Sequence, residues 1–178
     1  DNFATIVEAV RGGRAVYDNI LKFVRFQVAT AVGAIATILC ASAFGQPVPF
    51  SPLQVLWVNL IADGPTAISL GVDAPAPGLM HRAPVPSNSP ILSRRRLSQV
   101  AFQGLVTAAG VLTLYLYAIP TYDEPLAAGD APKIAMTMAF TGFVLAQLVN
   151  VYNARSEMVS VFSKYTLTNW KLGLSVVT

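Results

Sequence analysis

Apolar residues fall into long blocks along this chain, separated by short polar connectors rich in proline and basic side chains. Residues 4–22 come first and are amphipathic. Ile6, Val7, Val10, Val16 and Ile20 recur at helical spacing, while Glu8, Arg11, Arg14, Asp18 and Lys22 lie mostly elsewhere. Gly12-Gly13 weakens the middle of that stretch. It runs directly into an apolar block at 23–44, with Arg25 near its start. A block of that length crosses the roughly 30 Å hydrocarbon core of a bilayer as a helix. Comparable blocks follow at 51–72, 97–119 and 133–151, and a shorter one opens at 169 and runs to 178. The connector Gly45-Gln-Pro-Val-Pro-Phe50 holds two prolines and no room for a domain, so the first two spans form an antiparallel hairpin. The pattern predicts an all-α fold: a polytopic transmembrane helical bundle preceded by a short cytoplasmic stalk helix.

Composition agrees. Of 178 residues, 54% are hydrophobic and 12% charged, against about 25% charged in soluble domains. The charges also set an orientation. Arg11, Arg14, Lys22 and Arg25 flank the first span, Arg82 and Arg94 to Arg96 lie between the second and third, and Arg155, Lys164 and Lys171 follow the fourth. The opposite loops carry Asp123, Glu124 and Asp130 against only Lys133. By the positive-inside rule the stalk and the Arg-rich loop face the cytoplasm. Basic residues are scattered, with no aromatic-interleaved patch for nucleic acid, so the partner is the lipid bilayer. The lone Cys40 is read as a packed thiol and the lone His81 as a solvated loop residue. Neither end resembles a natural terminus, which makes the chain a piece of a longer multi-pass protein. Its alanine-rich composition points to a bacterial plasma membrane.

One residue stands out chemically. Asp63 is the only carboxylate deep in a span, where insertion costs about 2.5–3.5 kcal/mol, and such residues usually have a function. No Lys or Arg lies at comparable depth to pair with it. Asn59 is one helical turn earlier and shares its face. Gly64-Pro65 follows at once and is expected to break the helix, freeing carbonyls beside a carboxylate and an amide. Together these are hard oxygen donors suited to a cation. Gln147, three residues before Asn150 in the fourth span, is a further candidate ligand, with helix-to-helix hydrogen bonding as the simpler role. Thr30 and Thr37 are expected to bond back to their own helix.

Longer motifs carry a resemblance. Asp1-Asn-Phe-Ala-Thr-Ile-Val and the run to Phe23-Val-Arg-Phe resemble the end of the phosphorylation domain and the fifth-helix stalk of P-type ATPases. Pro52-Leu-Gln-Val-Leu-Trp-Val-Asn-Leu-Ile-Ala-Asp-Gly resembles the sixth helix of the calcium-pump subclass. The resemblance implies that residues 1–22 are the end of the phosphorylation domain and the stalk. Residues 23–178 are then a transmembrane domain equivalent to helices five to eight and the start of nine. It implies an ATP-driven translocase of Ca2+, with Mn2+ as an alternative, using ATP and Mg2+ through an aspartyl-phosphate. It places Asn59 and Asp63 on the cation ligands. The remaining partners are then the cytoplasmic domains and helices one to four of the same protein. Residues 1–178 hold no nucleotide or phosphorylation motif, so by themselves they are expected to be inactive, with no catalytic or cofactor-binding residue.

The departures from the family pattern are specific. Two-site calcium pumps carry Asn and Glu where this chain has Ala31 and Ala34, Thr where it has Ala62, and Glu where it has Gln147. The site built mainly from those side chains should be absent, which leaves a single transport site around Asn59 and Asp63. The alternative reading is a truncated, non-catalytic membrane partner or regulator derived from such a pump. A secondary transporter is disfavoured by the absence of an internal repeat.

Overall fold

The computed structural model describes residues 3–76, 78–86, 90–122 and 132–155. Helix α1 runs over Phe3–Ala43, α2 over Pro52–Trp57, α3 over Asp63–Gly71, α4 over Arg94–Tyr122 and α5 over Lys133–Arg155. A wide π-helical turn, Val58–Ala62, joins α2 to α3, and a short 3-10 turn, Leu79–His81, lies in the following loop. No strand occurs among the described residues. Helices over Phe3–Ala43, Arg94–Thr121 and Lys133–Arg155 are long and apolar enough to cross a membrane. Helical backbone from 52 to 71 is also continuous, giving about 30 Å at 1.5 Å per residue. The acidic loop residues Asp123, Glu124 and Asp130 and the block at 169–178 lie outside the described residues.

Stalk and first apolar block form one helix, so Gly12-Gly13 lowers helix propensity without interrupting it. That helix stops at Gly45, whose φ is +68°. Gly45 N–H bonds to the Ser42 carbonyl and Gln46 N–H to the Ala41 carbonyl, each at 3.0 Å. This is the Schellman arrangement, in which glycine takes the left-handed position at no steric cost. Tyr115 on α4 then donates its hydroxyl to the Pro47 carbonyl at 2.8 Å and holds the turn. At the far side, Ser51 and Gln54 form a reciprocal capping box that starts α2. Helix α4 begins at Arg94, three residues before the apolar block at 97, because Ser93 caps its first turn.

The core lies between α1, α4 and α5 and is built from Ala41, Phe50, Val58, Val111, Tyr115, Ala118, Ala135, Ala139 and Phe143. Phe50 and Phe143 pack at 5.2 Å between ring centroids, and Trp57 meets Phe140 edge-on at 5.6 Å. Small residues let α1 and α4 approach closely, as helices do in membranes. A Cβ on Gly104 would sit 2.7 Å from the Val32 side chain and 2.9 Å from the Ala29 carbonyl. One on Gly33 would keep 3.4 Å from its nearest neighbours. Cys40 is exposed rather than packed: it projects from the outer face of α1, away from the core.

A buried charge cluster joins the middle of α1 to the end of α3 and the last turn of α5. Asp73, just beyond α3, accepts from Lys22 Nζ at 2.8 Å and from Arg155 Nε and Nη2 at 3.0 and 3.1 Å. Asn19 donates to the Gly71 and Asp73 carbonyls at 3.1 and 2.9 Å and accepts from Lys22 at 3.1 Å. All four side chains are buried. Nearby, Arg14 donates to the Leu79 and Arg82 carbonyls at 3.1 and 2.8 Å, and Arg82 pairs with Asp18 at 2.9 Å. The stalk thus grips the loop that follows α3 at several points.

Burial pushes the Asp73 carboxyl up, but the Arg155 and Lys22 hydrogen bonds and charges outweigh it and hold it below its ordinary value of 3.8. A carboxyl depressed in the fold stabilises fully above its unfolded pKa and loses that contribution as pH falls through the folded one. Asp73→Asn is therefore expected to cost about 3–5 kcal/mol at neutral pH, because two buried cations lose their counter-charge. The gap between wild type and variant should close as the pH drops below 3.8. Thermal unfolding in detergent across that range measures both. At the helix crossing, Gly104→Ala should destabilise by about 1–3 kcal/mol through overpacking. Gly33→Ala should stay within about 1 kcal/mol of wild type. Equal melting shifts for the two would contradict this packing.

Candidate cation site

Sequence around Asp63 dictates an unusual helix. Pro65 has no N–H, and its ring collides with the carbonyl four residues back in a regular helix. The chain does not break there, contrary to the expectation from Gly64-Pro65. The turn over Val58–Ala62 widens instead, and Asp63 N–H reaches back to the Val58 carbonyl. A single π turn of this kind absorbs one extra residue and is frequent at functional sites. Backbone at Asp63 stays right-handed helical, with φ −80° and ψ −35°. Thr66 donates its hydroxyl to the Ala62 carbonyl and also lies 3.1 Å from that of Asp63. Ser69 donates to the Thr66 carbonyl at 2.8 Å. Hydroxyls rather than solvent therefore tend the backbone around the proline.

Asp63 is 2% exposed, and its Oδ1 has no hydrogen-bond partner among the described residues. Asn59 is exposed and donates Nδ2 to the Val55 carbonyl at 3.0 Å. With the amide nitrogen engaged by its own helix, its carbonyl oxygen is the group left to meet a ligand. Both residues line a cavity of about 530 Å³ between α1 and the α2–α3 arm. Ala31 and Ala34 line it too, so the α1 wall lacks oxygen at those two positions.

Gln147 is placed differently. It is buried on α5 with both amide atoms unpartnered among the described residues, but it does not line this cavity. Of the three candidate ligands, the structure brings Asn59 and Asp63 to one cavity and leaves Gln147 apart. Thr37 bonds back to the Gly33 carbonyl at 2.7 Å, as expected. Thr30 does not. Its hydroxyl is buried without a partner and it lines the cavity, as does Gln27. Sequence reasoning passed over Gln27, although a glutamine four residues into an apolar block is a readable signal. It also passed over Asp73, which reads as an ordinary loop aspartate until the fold sets Lys22 and Arg155 against it. Among the described residues, no group of three His, Cys, Asp or Glu side chains gathers to hold a metal. Any cation here meets one carboxylate and neutral oxygens, a donor set for a hard ion.

Long apolar helices around a largely apolar cavity, lined by one buried carboxylate, define an α-helical integral membrane protein. The model of the family "Cation transporting ATPase, C-terminus" matches residues 47–178, and the chain belongs to that family. It is 39% identical over 169 residues to a calcium-transporting ATPase of Bacillus subtilis (strain 168), covering 95% of this chain and 18% of that protein. It is 35% identical over 176 residues to calcium-transporting ATPase 1 of Schizosaccharomyces pombe (strain 972 / ATCC 24843), covering 99% and 19%. It is 35% identical over 162 residues to the mouse calcium-transporting ATPase type 2C member 2, covering 91% and 16%. The chain thus spans less than one fifth of the length of these relatives.

Proposed function

We propose that the chain is the membrane portion of an ATP-driven calcium pump that moves one ion per cycle, with Asn59 and Asp63 as ligands. The observation that carries this reading is the buried, unpartnered Asp63 oxygen beside Asn59 on one cavity. A desolvated carboxylate with no basic partner is costly unless a cation joins it. Calcium is favoured over manganese by the names of the relatives, since the oxygen donors suit either ion. Residues 1–178 carry no nucleotide or phosphorylation motif. ATP, Mg2+ and the aspartyl-phosphate belong to other parts of the full-length protein, and this stretch alone is inactive.

In this mechanism each residue of the chain has a mechanical or a binding role. Asp63 supplies charge and Asn59 supplies a neutral oxygen. The widened turn and Thr66 keep the helix wound while Asp63 is presented to the cavity. Movement of the stalk reaches Asp63 through Lys22, Asp73 and α3. The basic flanks place the stalk and the loop after α3 on the cytoplasmic side. An alanine-rich composition and the Bacillus relative favour a bacterial plasma membrane.

In the full-length protein, Asp63→Asn should abolish calcium-dependent phosphorylation from ATP. Normal calcium-activated phosphoenzyme in that variant would sink the reading. Equilibrium binding to the wild-type protein should saturate at about one calcium per pump, because Ala31, Ala34 and Ala62 leave too few oxygens for a second set of six to eight. Two bound ions would refute the single-site reading.

A further inference from the structure

The wall of the cavity opposite Asp63 carries two polar side chains. Helix α1 presents Gln27 and Thr30 to it among otherwise apolar residues, Ala31 and Ala34 included. Ala31 and Ala34 bring no oxygen. Gln27 and Thr30, three residues apart and therefore on one face of the helix, each bring one. Neither oxygen is in use: Gln27 Oε1 and Thr30 Oγ1 are buried without a hydrogen-bond partner among the described residues. Thr30 is 8% exposed. A helical threonine ordinarily satisfies its hydroxyl on the carbonyl three or four residues back. Thr37, Thr66, Thr113, Thr121 and Thr137 all do so in this chain. Thr30 differs from these five, and its unpartnered hydroxyl is buried on the cavity that holds Asp63. Buried unpartnered oxygens are costly and rare, and each calls for a specific reason.

We propose that Gln27 and Thr30 are oxygen ligands of the transported cation, supplied by α1 one turn nearer the stalk than Ala31 and Ala34. The proposal rests on Asp63 being a ligand and adds the opposite wall to it. One carboxylate, the Asn59 amide oxygen, the Gln27 amide oxygen and the Thr30 hydroxyl then surround the ion. That is a hard, weakly charged donor set drawn from two helices. It has a structural corollary. A ligand set bridging α1 and the α2–α3 arm closes the cavity when the ion is bound, and the stalk helix itself becomes part of the site.

Equilibrium binding of radiolabelled calcium to the full-length protein tests this, with phosphorylation from inorganic phosphate in calcium-free buffer as a control for folding. Gln27→Leu with Thr30→Val should weaken calcium binding about tenfold or more, with the calcium-free reaction retained. Thr30→Ser keeps the hydroxyl and should bind as wild type. Unchanged affinity in the double variant, with binding lost in Asp63→Asn, would overturn the proposal and leave the single-site pump standing. Binding retained in Asp63→Asn would instead overturn the reading on which it rests. Should the double variant fail the folding control, Gln27→Glu decides. An added carboxylate at a true ligand position tightens calcium binding, and unchanged affinity there would count against the proposal.

Discussion

A single carboxylate, Asp73, ties the middle of α1 to the end of α3 and the last turn of α5. Lys22 comes from α1, Arg155 from the last turn of α5, and Asp73 itself from just past α3. Among the described residues, two cations meet one anion in a buried place, and dipoles add to the pairing. Asn19 accepts a hydrogen bond from Lys22, and α3 turns its carbonyl end toward the cluster, which is the favourable end for cations. An arrangement of this sort contributes less to stability than its Coulomb attraction suggests, because burying three charges is itself expensive. Its stronger effect is geometric, since no member can move without leaving a bare charge behind.

That constraint fixes where Asp63 sits. Helix α3 is nine residues long and begins at Asp63, so the cluster and the cavity are about 14 Å apart along one short rod. Between them, Pro65 would ordinarily bend or unwind the helix. A wide turn before it and hydroxyls after it take up the misfit. The candidate site therefore lies on a helix that remains wound, rather than on an unwound segment.

Much of this was readable in the residues and some was not. Four apolar blocks with basic connectors at alternate ends lead to an all-α membrane bundle, because lipid leaves a backbone few other options. The placement of Asp63 and Asn59 on one cavity was legible because a carboxylate in an apolar run is conspicuous and the amide shares its helix face. The failures share a cause. Breaking at Gly64-Pro65 is a local expectation, and it was overridden by a π turn that no propensity signals. An apolar stretch suggests packing of Cys40, yet Cys40 faces outward with Leu39 while Ala41 beside it is buried in the core. Thr30 and Thr37 look alike in sequence, and only the placement of the cavity separates them. Asp73 looked like a loop residue since its two partners are 51 and 82 positions away.

The close crossing at Gly104 has a mechanical consequence. Where two backbones nearly touch, α1 has little freedom to slide or bend, so that contact acts as a fulcrum. Measured from Gly33 at 1.5 Å per residue, the tip at Phe3 lies about 45 Å away, Lys22 about 16 Å and Gln27 about 9 Å. Phe3 and Gln27 lie on the same side of that contact, the first far from it and the second close. A swing at the tip arrives at Gln27 reduced about fivefold in amplitude, with the force raised in the same proportion. Small, strong displacements suit a candidate site that is to be opened without being dismantled.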